Sequence, residues 1–174
     1  MMTLSLYDVI IPAYQQTLGS MAVLLDKGEA FCNEHGIEEK ELTGARLAED
    51  MLHFTYQVKA VTENSLGAIE GIRLGNFTPT MPSKPEDFSS LKARIATALA
   101  GIDALSSDEV NDFLGRDMKF TLGEKRIDFT AENFLLSFAL PNFYFHAVTA
   151  YDLLRVRGVK LGKMVFLGEM RTKL

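Results

Sequence analysis

The chain has 174 residues, of which 47% are hydrophobic and 24% are charged, and its formal net charge is −5 at pH 7. These values are ordinary for a globular protein of one domain, so extensive disorder and a fibrous repeat are both excluded. The acidic balance argues against a nucleic-acid binder, which needs a basic face. The one cysteine, Cys32, excludes an intrachain disulfide and favours a reducing compartment. We therefore expect one cytoplasmic domain over residues 1–174.

The N-terminal part of the chain predicts a long helix. Ser5 and Asp8 have the spacing of a capping box, and apolar residues recur every three or four positions to about Glu34. The His35-Gly36 pair then ends the pattern. Pro12 lies inside it, so this proline either kinks the helix or moves its start to residue 11 or 12.

A second long helix is predicted after a polar loop. The loop is expected over residues 36–44, and apolar periodicity then resumes from about Ala45 to Ile72. Residues 76–85 contain three prolines and cannot be helical, so they are expected to form a long connection.

The third helix is expected to open at a second capping box. Ser83 and Glu86 have the required spacing, and the apolar pattern continues to about Leu105. A third box, Ser106 and Glu109, predicts a short helical turn.

The last part of the chain changes its period before it becomes helical again. Residues 118–122 and 126–130 alternate apolar and polar around a glycine turn, which predicts a hairpin. Thr130 is expected to cap a fourth helix from Ala131 to about Arg157, and the tail is expected to be irregular, with Phe166 and Leu167 packed on the helices. The predicted fold is all-α: a four-helix bundle of crossover topology with a small β-hairpin inserted before the last long helix.

One segment is long and uncharged enough to raise the question of a membrane span. Residues 134–151 carry no formal charge, but polar residues and Pro141 interrupt them, and Asp152 follows at once. This pattern favours a buried central helix over a membrane span, and the aromatic run 143–145 is accordingly interpreted as core packing.

Polar residues on two of the predicted helices could meet in the core. Asp50, His53 and Gln57 are three and four residues apart, which places them on one face of the second helix. The fourth helix repeats that spacing with Asn142, His146 and Thr149. His146 lies in the most apolar part of the chain, where an unpaired polar group costs about 1–3 kcal/mol, so it requires a partner.

Convergence of His53 and His146 would create a candidate metal site. Two imidazoles are one ligand short of a usual catalytic zinc or nickel site, and Asp50 or Gln57 could supply the third. The alternative is a core histidine that is hydrogen-bonded to a tyrosine or a backbone carbonyl. Cys32 and His35 also lie close in sequence, but they are interpreted as an ordinary thiol beside a helix end.

Three stretches of the chain carry a family resemblance: SLYDVIIPAY at 5–14, FALPNFYFHAVTAYDLLR at 138–155 and LGKMVFLG at 161–168. The sequence resembles an uncharacterised bacterial family that is grouped with the DinB-like (YfiT-like) helical bundles, and the match covers nearly the whole chain. The resemblance implies a four-helix bundle with a crossover connection. Many DinB-like proteins are homodimers with a divalent metal on three histidines, and some transfer or hydrolyse small thiol-linked or acyl-linked groups.

The resemblance is incomplete at the implied metal site. The family pattern takes one histidine from the second helix, matched by His53 or Gln57, and two histidines spaced HxxxH from the fourth helix. His146 matches the first of that pair, but Ala150 stands in place of the second. Val165 stands where an acidic residue is expected.

Two functions follow as hypotheses. The favoured one is a dimeric module that binds a small molecule or a protein partner and lacks a complete three-histidine metal site, with Asp50, Gln57, Asn142 and Thr149 around its pocket. The alternative is a metal-dependent transferase or hydrolase for small thiol or acyl substrates, with zinc, nickel or manganese on His53 and His146. Neither hypothesis expects nucleic acid or a membrane as a partner.

Overall fold

The structure is a computed structural model of the chain, and it describes residues 4–81 and 84–173. Its helices are α1 (Leu6–His35), α2 (Glu39–Thr43), α3 (Phe54–Thr62), α4 (Ala68–Leu74), α5 (Phe88–Asp103), α6 (Ser107–Asn111), α7 (Ala131–Phe134), α8 (Leu140–Val156) and α9 (Lys163–Leu167). Its strands are β1 (Asn76–Phe77), β2 (Asp117–Leu122) and β3 (Lys125–Thr130). Two π-helical turns, Glu63–Gly67 and Leu135–Ala139, join α3 to α4 and α7 to α8. Residues 54–74 and 131–156 are therefore two uninterrupted helical segments.

Helix α1 confirms the first predicted helix and its capping box. The Ser5 hydroxyl accepts from the Asp8 N–H at 3.2 Å, and the Asp8 carboxylate accepts from the Ser5 N–H at 3.0 Å. The helix ends at Gly36, whose φ of 64° is favourable only for glycine. Pro12 lies within the helix, so the alternative start at residue 11 or 12 is wrong.

The predicted boundary between the polar loop and the second helix is wrong. The expected loop contains α2, and residues 45–53 are not helical, so the second long helix begins at Phe54 instead of Ala45. The Arg46 guanidinium donates to the Met51 carbonyl at 2.5 Å, and the Phe54 N–H donates to the Ala45 carbonyl at 2.8 Å. These bonds close residues 45–54 into a compact turn. In a helix, the same carbonyls would instead accept from backbone N–H groups four residues further on.

The connection after the second helix contributes a strand that sequence patterning misses. Asn76 and Phe77 form β1, which pairs in parallel with β2, so the sheet has three strands in the order β1-β2-β3. Helix α5 then begins at Phe88, with the Asp87 carboxylate accepting from the Ser90 N–H at 2.7 Å as its N-cap. Ser83 of the predicted capping box lies outside the described residues.

The rest of the chain confirms most of its predicted elements. The Ser106 cap of α6, the β2-β3 hairpin and the long helix after it are all present. Thr130 occupies the N-cap of α7 but makes no side-chain capping bond. The irregular tail is wrong in part, because α9 forms between Gly162 and Gly168, and its Phe166 packs on Tyr151 with ring centroids 5.8 Å apart.

The core lies between the long helices. Helix α1 packs along α5 and also contacts α8, while α3 packs along α8 and also contacts α5. The sheet covers one end through a cluster of aromatic rings, which consists of Phe77, Phe120, Phe129, Phe134 and Phe138. Within the described residues, no helix combines the length and the hydropathy that a bilayer crossing requires.

Candidate functional site

The candidate site is built around a hydrogen bond between α3 and α8. His146 lies in the middle of α8, and its Nδ1 is 2.7 Å from Oε1 of Gln57 in the first turn of α3. Gln57 is buried, and the imidazole is partly exposed. The partner that the apolar surroundings of His146 require is therefore an amide, instead of the expected tyrosine or backbone carbonyl.

The orientation of the Gln57 amide fixes the tautomer of His146. Its Nε2 donates to the Leu52 carbonyl at 2.7 Å, so its Oε1 must be the atom that faces the imidazole. An amide oxygen only accepts, so Nδ1 of His146 carries the proton and Nε2 keeps its lone pair. No described residue hydrogen-bonds that Nε2.

Burial keeps this imidazole neutral. Desolvation lowers the pKa of His146 to about 4, because the charged form loses hydration. The Tyr56 ring lies beside it in a T-shaped arrangement, with centroids 5.9 Å apart and planes at 75°. At neutral pH the site therefore presents an uncharged hydrogen-bond acceptor beside an aromatic ring.

His53 has a different role from the one that its spacing predicts. It is the N-cap of α3, and its Nδ1 accepts from the Tyr56 N–H at 3.3 Å. Asp50 lies before the helix, in the non-helical turn, and is exposed. The expectation that Asp50, His53 and Gln57 share one helical face is wrong, because only Gln57 belongs to α3.

The two polar neighbours of His146 on α8 bond to their own helix. The Asn142 amide donates to the Phe138 carbonyl and the Thr149 hydroxyl to the Phe145 carbonyl, each at 2.7 Å. Such bonds to the preceding turn satisfy the side chain locally. No hydrogen bond joins Asn142 or Thr149 to the Gln57–His146 pair.

The donor set around His146 does not fit the three-histidine metal site that the resemblance implies. Within the described residues, no group of three or more His, Cys, Asp or Glu side chains is placed to hold a metal ion. Gln57, which faces His146, offers an amide oxygen that already accepts the Nδ1 proton. Ala150 is fully buried one turn further along α8 and supplies no donor. The metal-ligand roles of His53 and His146 thus remain predictions without a third ligand.

Cys32 and His35 do not form a reactive pair. Cys32 is buried, and desolvation is the largest of the causes that raise the pKa of its thiol, which favours the unreactive protonated form. The His35 imidazole bonds the Phe31 carbonyl through Nδ1 at 2.9 Å and packs on the Phe31 ring at 4.2 Å. Their interpretation as an ordinary thiol beside a helix end agrees with this geometry.

Sequence reasoning misses two features around α8. The first is the position of the Tyr56 ring beside His146. The sequence hints at it only because Tyr56 precedes Gln57, which is itself a candidate neighbour of His146. The second is the exposure of the aromatic run 143–145, which is only partly core. Phe143 is fully buried against Tyr14, but Tyr144 and Phe145 are exposed. An uncharged helix is expected to be buried all round, whereas one face of α8 is open to solvent.

Comparisons with known proteins agree with this fold. One solved structure similar to this chain is the crystal structure of a DinB family member protein from Shewanella denitrificans, with a TM-score of 0.78 and 26% sequence identity. The similarity covers 97% of this chain and 95% of that one. No curated protein matches the sequence. Residues 6–167 match the model of a protein family that is described as a domain of unknown function, DUF1993. The chain therefore belongs to the DUF1993 family.

Proposed function

We propose that the chain is a homodimeric binding module that lacks a complete three-histidine metal site, and that His146 accepts a hydrogen bond from its small-molecule ligand or protein partner. The observation that carries the role of His146 is the Gln57–His146 hydrogen bond, while the homodimer rests on the resemblance to DinB-like proteins. This hydrogen bond occupies the imidazole nitrogen that faces α3 and leaves the other nitrogen as a fixed acceptor.

The chemistry of the pair defines the class of ligand. A neutral imidazole with its proton on Nδ1 accepts at Nε2 but has no proton to donate there. The best ligand is therefore a neutral small molecule, or a partner side chain, that presents an N–H or O–H group and an apolar surface to the ring of Tyr56. Low local polarity strengthens such a bond relative to one in water.

The arrangement of the long helices supports the finer fold assignment within this proposal. Helices α1, α5, α3 and the segment 131–156 contact one another in turn, and the long connection after β1 separates α4 from α5. We assign this arrangement to the DinB-like four-helix bundle of crossover topology, as a single domain. The similarity to the DinB family member of known structure supports the same assignment.

The alternative, a metal-dependent transferase or hydrolase, has less support from the described residues. It requires a third ligand, a place for which the sequence offers Asp50 or Gln57. Asp50 is exposed before α3, while His53 uses Nδ1 to cap that helix. No observation at the site favours this alternative over the binding module.

Metal binding tests the choice between the two functions. Protein purified without a metal-affinity tag should contain less than a tenth of an equivalent of zinc, nickel or manganese, and its melting temperature should not respond to these ions or to a chelator. About one equivalent of metal that is lost in His146→Ala would overturn the proposal in favour of the enzyme.

Ligand binding tests the role of His146 directly. A library of neutral fragments with N–H donors should give chemical-shift changes at Gln57 and His146 in NMR spectra, and these changes should vanish in His146→Phe. His35→Gln is the matched control, because it removes an imidazole that is bonded within α1 and should leave binding unchanged. Fragments that shift other residues only would contradict the assignment of the site.

A further inference from the structure

The last part of the chain folds back beside the first helix. We call residues 168–173, which follow α9, the tail. The Gln16 amide Nε2 donates to the Leu167 carbonyl at 2.7 Å and so joins the start of the tail to α1. Gly168 has a φ of 61° and a ψ of −144°, a conformation that residues with a Cβ rarely adopt. A Cβ at this position would also collide with the Ser20 hydroxyl. The path of the tail beside α1 therefore depends on this glycine.

The tail leaves an open cleft between itself, α1 and α5. This cleft, which we call the tail cleft, is lined by one face of α1 between Pro12 and Val23, by Leu99 of α5 and by residues 168–172. Its volume is about 700 Å³, and small-molecule sites typically have volumes of about 300–1,000 Å³. Its surface is mostly apolar, and Gln57 and His146 are not part of its lining. The tail cleft is therefore a second place of the right size for a ligand.

The wall that α1 contributes contains a glycine in the interior of the helix. Gly19 lines the cleft, and a Cβ added to it would meet nothing within 4 Å. Glycine destabilises a helix interior relative to alanine, and no neighbouring element requires it here. Close approach of a ligand to the backbone is one of the uses of glycine. The missing side chain thus widens the cleft at the cost of helix stability.

Two charged side chains of the tail, Glu169 and Arg171, also line the cleft. Neither makes an ion pair with another described residue. Burial raises the pKa of the Tyr144 hydroxyl, and the positive charge of Arg171 opposes that rise. The guanidinium of Arg171 therefore lies close to α8, where it remains available to an anionic group in the cleft.

We propose that the tail cleft binds a small apolar molecule with one carboxylate, which pairs with Arg171 while the apolar part contacts Val23, Leu99 and Met170. A guanidinium donates in a fixed fork that matches the two oxygens of a carboxylate. The flexible side chain of Met170 adapts to apolar groups of different shapes. This ligand class differs from the neutral hydrogen-bond donors proposed for His146, and the two sites would be occupied independently.

Titration with hexanoate tests the class of ligand. Backbone amides of residues 15–23 and 168–172 should shift in NMR spectra as hexanoate is added. Hexanamide and hexylamine have the same chain length without the carboxylate, and they should bind about tenfold more weakly. Equal affinities for hexanoate and hexanamide, or tighter binding of hexylamine, would overturn the pairing with Arg171. The absence of shifts in the cleft with both hexanoate and the longer octanoate would overturn the site itself.

A pair of tail variants tests the charge. Arg171→Gln should weaken hexanoate binding by about tenfold, because the charge-assisted hydrogen bonds are lost. Lys173→Gln is the matched control, since it removes the same charge from the same tail at a residue that does not line the cleft, and it should leave the affinity unchanged. Equal losses in the two variants would show that only the overall charge of the tail matters, and would contradict the pairing.

Gly19→Leu tests the cleft without weakening the fold. The leucine side chain would fill the space beside α1, so hexanoate binding should be lost. The melting temperature should not fall, because leucine favours a helix interior more than glycine does. His146→Phe should leave hexanoate binding unchanged, which separates the tail cleft from the proposed site at His146. Hexanoate binding that survives Gly19→Leu would overturn the tail cleft as the site, and the function proposed for His146 would stand.

Discussion

Gln57 determines which nitrogen of His146 is available, although it is not itself in a position to bind a ligand. Its amide Nε2 donates to the Leu52 carbonyl, so the amide cannot rotate to present an N–H to His146 without breaking that bond. A buried donor left without an acceptor would cost about 1–3 kcal/mol. The tautomer of His146 is therefore a consequence of the turn that precedes α3.

The low pKa of His146 predicts a stability loss in weak acid. The unfolded chain binds a proton at this residue near its ordinary pKa of 6.5, while the folded chain does so only near 4. The free energy of unfolding should be highest above pH 6.5 and should fall as the pH decreases from about 6.5 to 4, since the unfolded state binds more protons in this window. Urea unfolding at pH 7 and pH 5 should differ by about 2 kcal/mol from this residue alone.

The control for this effect is His146→Gln, which removes the titrating group and keeps a polar side chain. Ordinary carboxylates titrate near pH 4, so most of their contribution to the pH dependence of stability lies below the range from pH 7 to pH 5. The variant should lose most of the difference between pH 7 and pH 5. An equal difference in both proteins would show that another group causes the acid sensitivity.

A carboxylate at position 57 should reverse the electrostatic environment of His146. In Gln57→Glu the negative charge lies beside Nδ1 and stabilises the imidazolium, so the pKa of His146 should rise by one unit or more. Gln57→Leu is the control, because it keeps the apolar surroundings without an acceptor and should leave the pKa low. Nitrogen chemical shifts of the imidazole against pH measure both variants, and an unchanged pKa in Gln57→Glu would contradict the hydrogen bond.

At the scale of elements, close approach of α1 and α5 depends on one glycine. A Cβ added to Gly28 would lie 2.8 Å from the ring of Phe88, which is fully buried at the start of α5. Gly28→Ala should therefore lower the free energy of unfolding by about 1–3 kcal/mol through overpacking. Thermal or urea unfolding measures the change.

Gly19 in the same helix provides the matched control. A Cβ there meets nothing within 4 Å, so Gly19→Ala should stabilise the helix by about 0.5–1 kcal/mol through backbone entropy alone. Equal effects at the two positions would contradict the tight α1–α5 contact.

Elements that are stabilised by contacts between neighbouring residues could be predicted from the sequence. Elements that depend on distant parts of the chain could not. The capping bonds of Ser5 and Ser106 use neighbouring residues, so their motifs are sufficient. The helix predicted over residues 45–53 is wrong, because Leu47 and Met51 continue the helical spacing of apolar residues although Leu47 is exposed in a turn. The two-residue strand β1 exists only because β2 pairs with it, which no local pattern can reveal.

The candidate site also combines features that local sequence predicts with features that it does not. The apolar surroundings of His146 predict that it has a partner, and helical spacing makes Gln57 a candidate for that partner. The cap formed by His53 was hidden, because it depends on where α3 begins, and the start of that helix is set by the tertiary turn before it. The wrong start of the second helix therefore explains why Asp50 and His53 are predicted to share a helical face with Gln57, although neither belongs to α3.

For the whole molecule, the sheet is coupled to the helices through aromatic rings. Phe134 lies 5.4 Å from Phe77 of β1 and 5.8 Å from Phe129 of β3, measured between ring centroids. Phe138 in the π-helical turn lies 4.7 Å from Phe120 of β2. An isolated three-stranded sheet of this size would be marginal in water, so its stability comes from these contacts.

This coupling predicts that the sheet and the helices unfold together. Phe134 is fully buried and its ring contacts those of Phe77, Phe129 and Phe138, so Phe134→Ala should lower the global free energy of unfolding by about 3–5 kcal/mol. Leu114→Ala, at an exposed site, should cost less than about 0.5 kcal/mol. In native-state hydrogen exchange, amides of β2 and of α8 should lose the same protection in Phe134→Ala, since both exchange through global opening. Loss of protection in β2 alone would show instead that the sheet opens as a separate unit and that the aromatic cluster does not bind it to the helices.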